Sequence, residues 1–374
     1  MQPNVTIIIP VYNVEAYLRQ CLDSVVNQTL RDVQIVCVND GSSDASLAIL
    51  EEYADRDSRV TIINKPNGGV SSARNAAYPS IKGKYTLFVD PDDWIDLDTC
   101  EKCFEQAEQT EAEIVVFFFR REYLLGSKVS MNRVISPGKK ITPGEKRQIL
   151  THHPFVCGKL WRSDFLLDKN LVFPEGLTSE DYAVTWRAIP QADQIFVLPE
   201  PLYHYRNNPD SITQTSIQRF ADTVAVHALT LSYLLESGHY STYKDIFIPQ
   251  KLRGLEEYYD RIPSSRPNTL RLIHESLTED DRRFYRSAAG NVMSTDTILF
   301  YQGIIDGGRV ATMKYYFFKA AKSIERFIKQ GIVKPMRRII LANRQDVAQK
   351  TDSNADIVSF PSQESGKPTK RHVA

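Results

Sequence analysis

The chain has 374 residues, with 46 Lys plus Arg balanced by 46 Asp plus Glu, so its formal net charge is zero. That balance excludes a global field directing it to nucleic acid. The 42% hydrophobic and 25% charged composition is that of a globular protein long enough for a full core and more than one domain.

Short apolar runs alternate with helical patterns through the first 120 residues. VTIII (5–9) reads as a strand, and AYLRQCLDSVVNQ (16–28) spaces its apolar residues as a helix does. VQIVCV (33–38) is a second strand, followed by a helix opening at Asp44. VTII (60–63), YTLFV (85–89) and EIVVFFF (113–119) are three more, with a helix over SSARNAAY between the first two. Continuously apolar strands separated by helices predict an α/β fold with a mostly parallel sheet covered on both faces.

In such sheets ligands sit outside the carboxyl ends of the strands. Those ends here are PVYN (10–13), NDGS (39–42), NGG (67–69) and DPDD (90–93). NDGSSD alone could be a turn and a helix cap; four polar loops on one edge argue for a site. Neither GxGxxG nor GxxxxGK[ST] occurs, so phosphates would need other neutralisation. Asp90, Asp92 and Asp93 crowd one turn, and two carboxylates ~5 Å apart repel by roughly 3 kcal/mol at an effective dielectric of 20. A bound Mg²⁺ or Mn²⁺ on Asp90 and Asp92 would offset this, because hard cations favour carboxylate and phosphate oxygens. The other reading is a solvated turn capping the next helix, and Asp93 or Asp96 could serve that end.

IIIPVYNVEAYLRQCLDSVVNQT, IVCVNDGSSDAS, NGGVSSARNAA and YTLFVDPDDW, in this order, resemble the nucleotide-diphospho-sugar domain of family 2 glycosyltransferases over about residues 4–210. The resemblance implies a GT-A fold, an activated sugar donor, a divalent metal and inversion at the anomeric carbon. It places Pro10, Tyr12 and Asp40 at the base and ribose. Asp90 and Asp92 become the DxD motif, and Arg74 supports the diphosphate.

FPEGLTSEDYAVTWRAI (173–189) sets Glu180 and Asp181 at a helix start. Acidic residues there suit the macrodipole, but inverting transfer also needs a base for the acceptor proton. The resemblance assigns that role to Asp181, with Glu180 the adjacent alternative. In PLYHYRNNPDSIT (201–213), His204 is either a core histidine, a third metal ligand or a diphosphate contact. Arg206 is the better diphosphate candidate, being planar and permanently charged. Lys159, Trp161 and Arg162 either line an acceptor groove or belong to a linking strand. The QxxRW motif of processive relatives is missing, which favours single-sugar addition.

The expected division is a GT-A domain over 1–215, a helical region over 216–303, a basic amphipathic segment over 304–345 and a disordered tail over 346–374. TMKYYFFKAAKSIERFIKQ (312–330) carries Met313, Phe317, Ile324 and Ile328 on one face, and Lys314, Lys322, Arg326 and Lys329 on the other. It either packs on the core or lies on an anionic membrane surface. Five sparse cysteines do not suggest a disulfide framework, and MQPNVTIIIPVYN lacks a basic n-region. The expectation is a cytoplasmic protein, free or peripheral on the inner face of the cell membrane. It would move one sugar from a nucleotide-diphospho-sugar, UDP-linked by expectation, to a glycan or lipid-linked acceptor in bacterial surface-polysaccharide synthesis. The rival is a non-catalytic nucleotide-sugar-binding scaffold on the membrane.

Overall fold

The computed structural model describes residues 2–123, 126–130, 141–207, 217–261 and 266–305. From residue 306 onward the expected basic amphipathic segment (304–345), and the whole of the expected disordered tail (346–374), lie outside the described residues. Among the described residues no helix is long and apolar enough to cross a membrane.

Four parallel strands form the heart of the chain: β1 (Val5–Val11), β2 (Val33–Asn39), β3 (Val60–Asn64) and β4 (Tyr85–Phe88). Helices α1 (Glu15–Val26), α2 (Ser46–Arg56) and α3 (Gly69–Ala77) connect them. Every residue of β1 and β2 is buried, as their unbroken apolar runs require. The register aligns the carboxyl ends, with Val11 opposite Asn39 and Asn39 opposite Asn64.

The large sheet adds β6 (Ile114–Val116), β9 (Lys159–Arg162) and β10 (Ile195–Val197). Its order is β10-β6-β9-β4-β1-β2-β3. β9 runs antiparallel between β4 and β6, making the sheet mostly parallel. Trp161 and Lys159 on β9 are fully buried, and Arg162 is bound by Glu113 and Asp164. These three therefore belong to the linking strand, not to an acceptor groove. The Lys159 ammonium donates to the carbonyls of His153 and Phe155, and burial pushes it down to about 7.

The EIVVFFF run is not one strand. It ends in the large sheet at Val116, and Phe119 opens β7 (Phe119–Tyr123) in a second sheet. That sheet has the order β5-β11-β7-β8, with β5 (Trp94–Ile95), β8 (Gly126–Ser130) and β11 (Tyr203–Arg206). α4 (Thr99–Thr110), α5 (Pro143–His152) and α6 (Ser163–Asp168) fall between these strands along the chain, and α7 (Glu180–Gln191) carries the acidic pair. Among the described residues five helices follow, from α8 (Ile217–Glu236) to α12 (Thr295–Ile305).

The strand order places β2 and β4 on opposite sides of β1. A crevice opens where connections leave in opposite directions, outside the strand ends. Pro10 sits in this central strand without disrupting it. The Val11 carbonyl accepts from Asp40 N–H on the β2 side, so the alternate residue Pro10 faces β4. Pairing there ends at Ile8 with Phe88, so the missing Pro10 N–H removes no ladder bond.

Candidate active site

The crevice is lined by the loops that the sequence singled out. Asp40, following β2, is 2% exposed and accepts from Lys65 Nζ at 2.6 Å. It also accepts the backbone N–H groups of Gly68 at 3.0 Å and Gly69 at 2.7 Å. Asp40 thus ties the second loop to the start of α3. Gly41 has φ +72°, and a Cβ there would lie 2.8 Å from Asn67 N, so the close approach of these loops needs glycine. Tyr12 is 45% exposed just beyond β1, while Pro10 is buried beneath it. The Asn13 side chain accepts from Ser43 N–H, joining the first loop to the second.

The acidic turn after β4 is held from three sides. Asp90 Oδ1 accepts from Arg74 Nη2 at 2.8 Å, and Asp90 Oδ2 accepts from the Cys157 thiol at 3.3 Å. Asp90 N–H donates to the Tyr203 hydroxyl at 3.1 Å. Asp93 Oδ1 accepts from Arg206 N–H, while Asp93 Oδ2 is buried without a hydrogen-bond partner. Burial, then Asp90, pushes Asp92 up to about 6. Burial, then Asp90 and Asp92, holds Asp93 well above the usual carboxylate range. The positive charge that the protein brings to the turn therefore does not offset the ionisation of all three carboxyls.

Such a turn fits a hard divalent cation, which takes one or two protein carboxylates and completes its shell with water and phosphate oxygens. Among the described residues no group of three or more His, Cys, Asp or Glu side chains is arranged to hold a metal. Asp92 with Asp90 is the pair available. His204 does not join it. Its ring stacks on Trp94, centroids 4.9 Å apart, and both nitrogens are engaged: Nδ1 at 2.8 Å from Glu122, Nε2 at 2.7 Å from Asp96. A metal could reach neither nitrogen without displacing a carboxylate, so the core-histidine reading replaces the ligand reading.

Arg206 does reach the turn, as a clasp on its backbone. Nε donates to the Asp92 carbonyl at 2.8 Å, and Nη2 donates to Gln20 at 2.6 Å. The guanidinium lies between the rings of Tyr17 and Trp94, 4.8 and 4.7 Å from their centroids.

Arg74 on α3 is 4% exposed, and its guanidinium lies 5.0 Å from the Phe173 ring centroid. One end grips Asp90 and the other forms an ion pair with Glu180. Burial alone would lower this group, but Asp90 and Glu180 outweigh it and raise it. Arg74 therefore contacts the two acidic motifs, not open crevice. Glu180 is equally buried and committed to Arg74. Asp181 beside it is partly exposed, and burial with the Glu180 charge pushes it up to about 7. Ser179, just ahead, has φ +64°, uncommon for a residue with a Cβ and characteristic of strained functional backbone.

A model of glycosyl transferase family 2 matches residues 6–167. The Bacillus subtilis (strain 168) putative glycosyltransferase EpsH is 32% identical over 262 residues, covering 66% of this chain and 74% of its own. The chain belongs to glycosyltransferase family 2. The same organism's uncharacterized glycosyltransferase EpsJ is 37% identical over 226 residues, 57% of this chain and 64% of its own length. Staphylococcus aureus TarS 1–349, solved with UDP, superposes with a TM-score of 0.60 at 21% identity, covering 88% of this chain and 92% of its own. That likeness shows a shared fold, the GT-A architecture that the family resemblance implied.

Cys157, Tyr203 and Phe173 were not visible as site residues in the sequence. Each acts through packing or a single hydrogen bond on Asp90 or Arg74, and no spacing announces such contacts.

Proposed function

We propose that the chain is a metal-dependent inverting glycosyltransferase adding one sugar from a UDP-sugar to a hydroxyl of a surface-polysaccharide or lipid-linked acceptor. The observation carrying this reading is the placement of Asp181. It stands beside a buried ion pair that joins the acidic turn to its own helix, with a carboxyl pushed up to about 7. A general base works best with a pKa near the working pH. A scaffold that merely bound nucleotide-sugar would have no use for it.

In this mechanism Asp40 and Tyr12 border the base and ribose end of the crevice. Asp92, assisted by Asp90, would hold Mn²⁺ or Mg²⁺, which supplies charge neutralisation for the diphosphate leaving group. Arg74 and Cys157 keep Asp90 oriented. Arg74 also keeps Glu180 committed, so the proton goes to Asp181. The acceptor oxygen forms its bond to the anomeric carbon from the face opposite the diphosphate, whose C–O bond breaks as nucleoside diphosphate departs. The proton on Asp181 returns to solvent. UDP bound to TarS supports a uridine donor, and its UDP-GlcNAc complex is the first sugar to test.

A panel of nucleotide-sugars, each incubated with Mn²⁺ and lipid-linked acceptors, tests the reading. Product with the anomeric configuration inverted from the donor supports it. Saturable donor binding with no hydrolysis or transfer across the panel would favour the scaffold.

A further inference from the structure

One face of the small sheet meets the acidic turn through Tyr203, which accepts from the Asp90 N–H, and it includes more exposed residues further along the strands. Alternation on β7 puts Phe119, Arg121 and Tyr123 on it, and the register of β11 adds Tyr203 and Tyr205. The inner end is closed. Phe119 and Tyr203 are buried, their rings 5.2 Å apart and edge to face, and Tyr203 takes the Asp90 N–H. The outer end is open: Arg121 is exposed, Tyr123 is 43% exposed, and Phe155, edge-on to Phe119, is also 43% exposed. Tyr205 joins the two ends. Burial raises its hydroxyl first, followed by Asp93, Asp92 and Asp90, and Arg121 acts on it in the opposite direction. The Arg121 guanidinium lies 5.8 Å from the Tyr205 centroid.

Two features of this face fit a particular occupant. Exposed aromatic rings beside a sugar-transfer site present flat apolar surface to the CH faces of saccharides. Arg121 has no ion-pair partner among the described residues, although Glu122 follows it, because Glu122 lies on the opposite face with His204.

We propose that Tyr205, Arg121, Tyr123 and Phe155 form an acceptor subsite for an anionic saccharide, whose acidic group is held by Arg121. The proposal deepens the transferase reading and rests on it. Arg121 supplies a planar fork that binds carboxylate or phosphate in two parallel hydrogen bonds. The rings on either side fix the sugar so that a hydroxyl further along the chain enters the crevice. A neutral saccharide would use the rings and leave Arg121 without an anion.

Calorimetry on the full chain with Mn²⁺ and UDP present tests this, with hexagalacturonate and maltohexaose as probes. A charge-assisted pair of this kind predicts a preference of about tenfold for the anionic probe. Arg121→Gln should bring the two affinities to within about threefold, Arg121→Lys should retain an intermediate preference, and high salt should erode it. UDP affinity should not change in either variant. Equal binding of the two probes, no binding of either, or a preference surviving Arg121→Gln would overturn the subsite. So would an equal loss of UDP affinity, which would place Arg121 on the donor. Asp92→Ala separates the two readings: it should weaken UDP while leaving the preference for hexagalacturonate.

Discussion

Arg74 and Glu180, 106 positions apart in the chain, form a buried ion pair whose other arm holds Asp90. One guanidinium thereby fixes the distance between the acidic turn and the helix carrying Asp181. Removing one partner of a buried pair leaves an uncompensated charge and costs about 3–5 kcal/mol. Arg74→Ala strands two carboxylates and should lower the unfolding midpoint strongly in urea titration. Arg74→Lys keeps the charge but cannot span both partners. It should retain most stability and lose transfer; full activity in Arg74→Lys would mean that the span is unimportant.

The same pair sets a pH dependence. Burial and Glu180 raise Asp181 to about 7 in the folded chain, and a base must be unprotonated. Transfer should therefore rise with pH through about 7. Glu180→Gln removes one raising charge and leaves Arg74, which lowers Asp181, less neutralised. The acidic limb should move to lower pH, read from kcat against pH at saturating donor. An unmoved limb would separate Asp181 from that profile.

Stability should follow the opposite sign. A carboxyl whose folded value is raised favours the fold below its unfolded value, and loses that contribution as pH climbs through about 7. Asp181→Asn should thus raise the melting temperature relative to the parent at pH 8.5 and much less at pH 5. Equal effects at both would mean that the carboxyl ionises without cost.

Asp92→Ala should abolish Mn²⁺-dependent UDP binding while the fold survives, because it relieves repulsion in a turn already held by Arg74, Cys157 and Arg206. Calorimetry finding unchanged UDP affinity with Mn²⁺ would remove the metal from Asp92.

The amphipathic sequence 312–330 gives a separate prediction. Changing Lys314, Lys322, Arg326 and Lys329 to Gln should release the full chain from anionic vesicles, since each basic residue contributes roughly 1 kcal/mol at such a surface. Unaltered co-sedimentation would assign membrane attachment elsewhere.

The parallel core was legible because burial on both faces demands unbroken apolar strands, and VTIII, VQIVCV and YTLFV supply them. The split of EIVVFFF between two sheets was not, because an apolar run carries no mark of where the chain changes partners. DPDD could be read as a candidate site because clustered charge at a strand end is costly without a purpose, and SED through the family resemblance, since its helix start alone favours acidic residues. Their connection through Arg74 could not, since α3 and α7 meet only in the folded chain. His204 shows the converse: its residue type allowed a metal ligand, and Glu122 and Asp96, distant in sequence, took both nitrogens.

The central claim is that Asp181 takes the acceptor proton, and Asp181→Asn tests it most directly. Asn caps a helix about as well as Asp, so a capping role would leave transfer nearly intact. Donor affinity and single-turnover transfer should be measured side by side. The account predicts transfer reduced by about 10²–10⁴ with donor affinity unchanged; transfer within about threefold of the parent would contradict it.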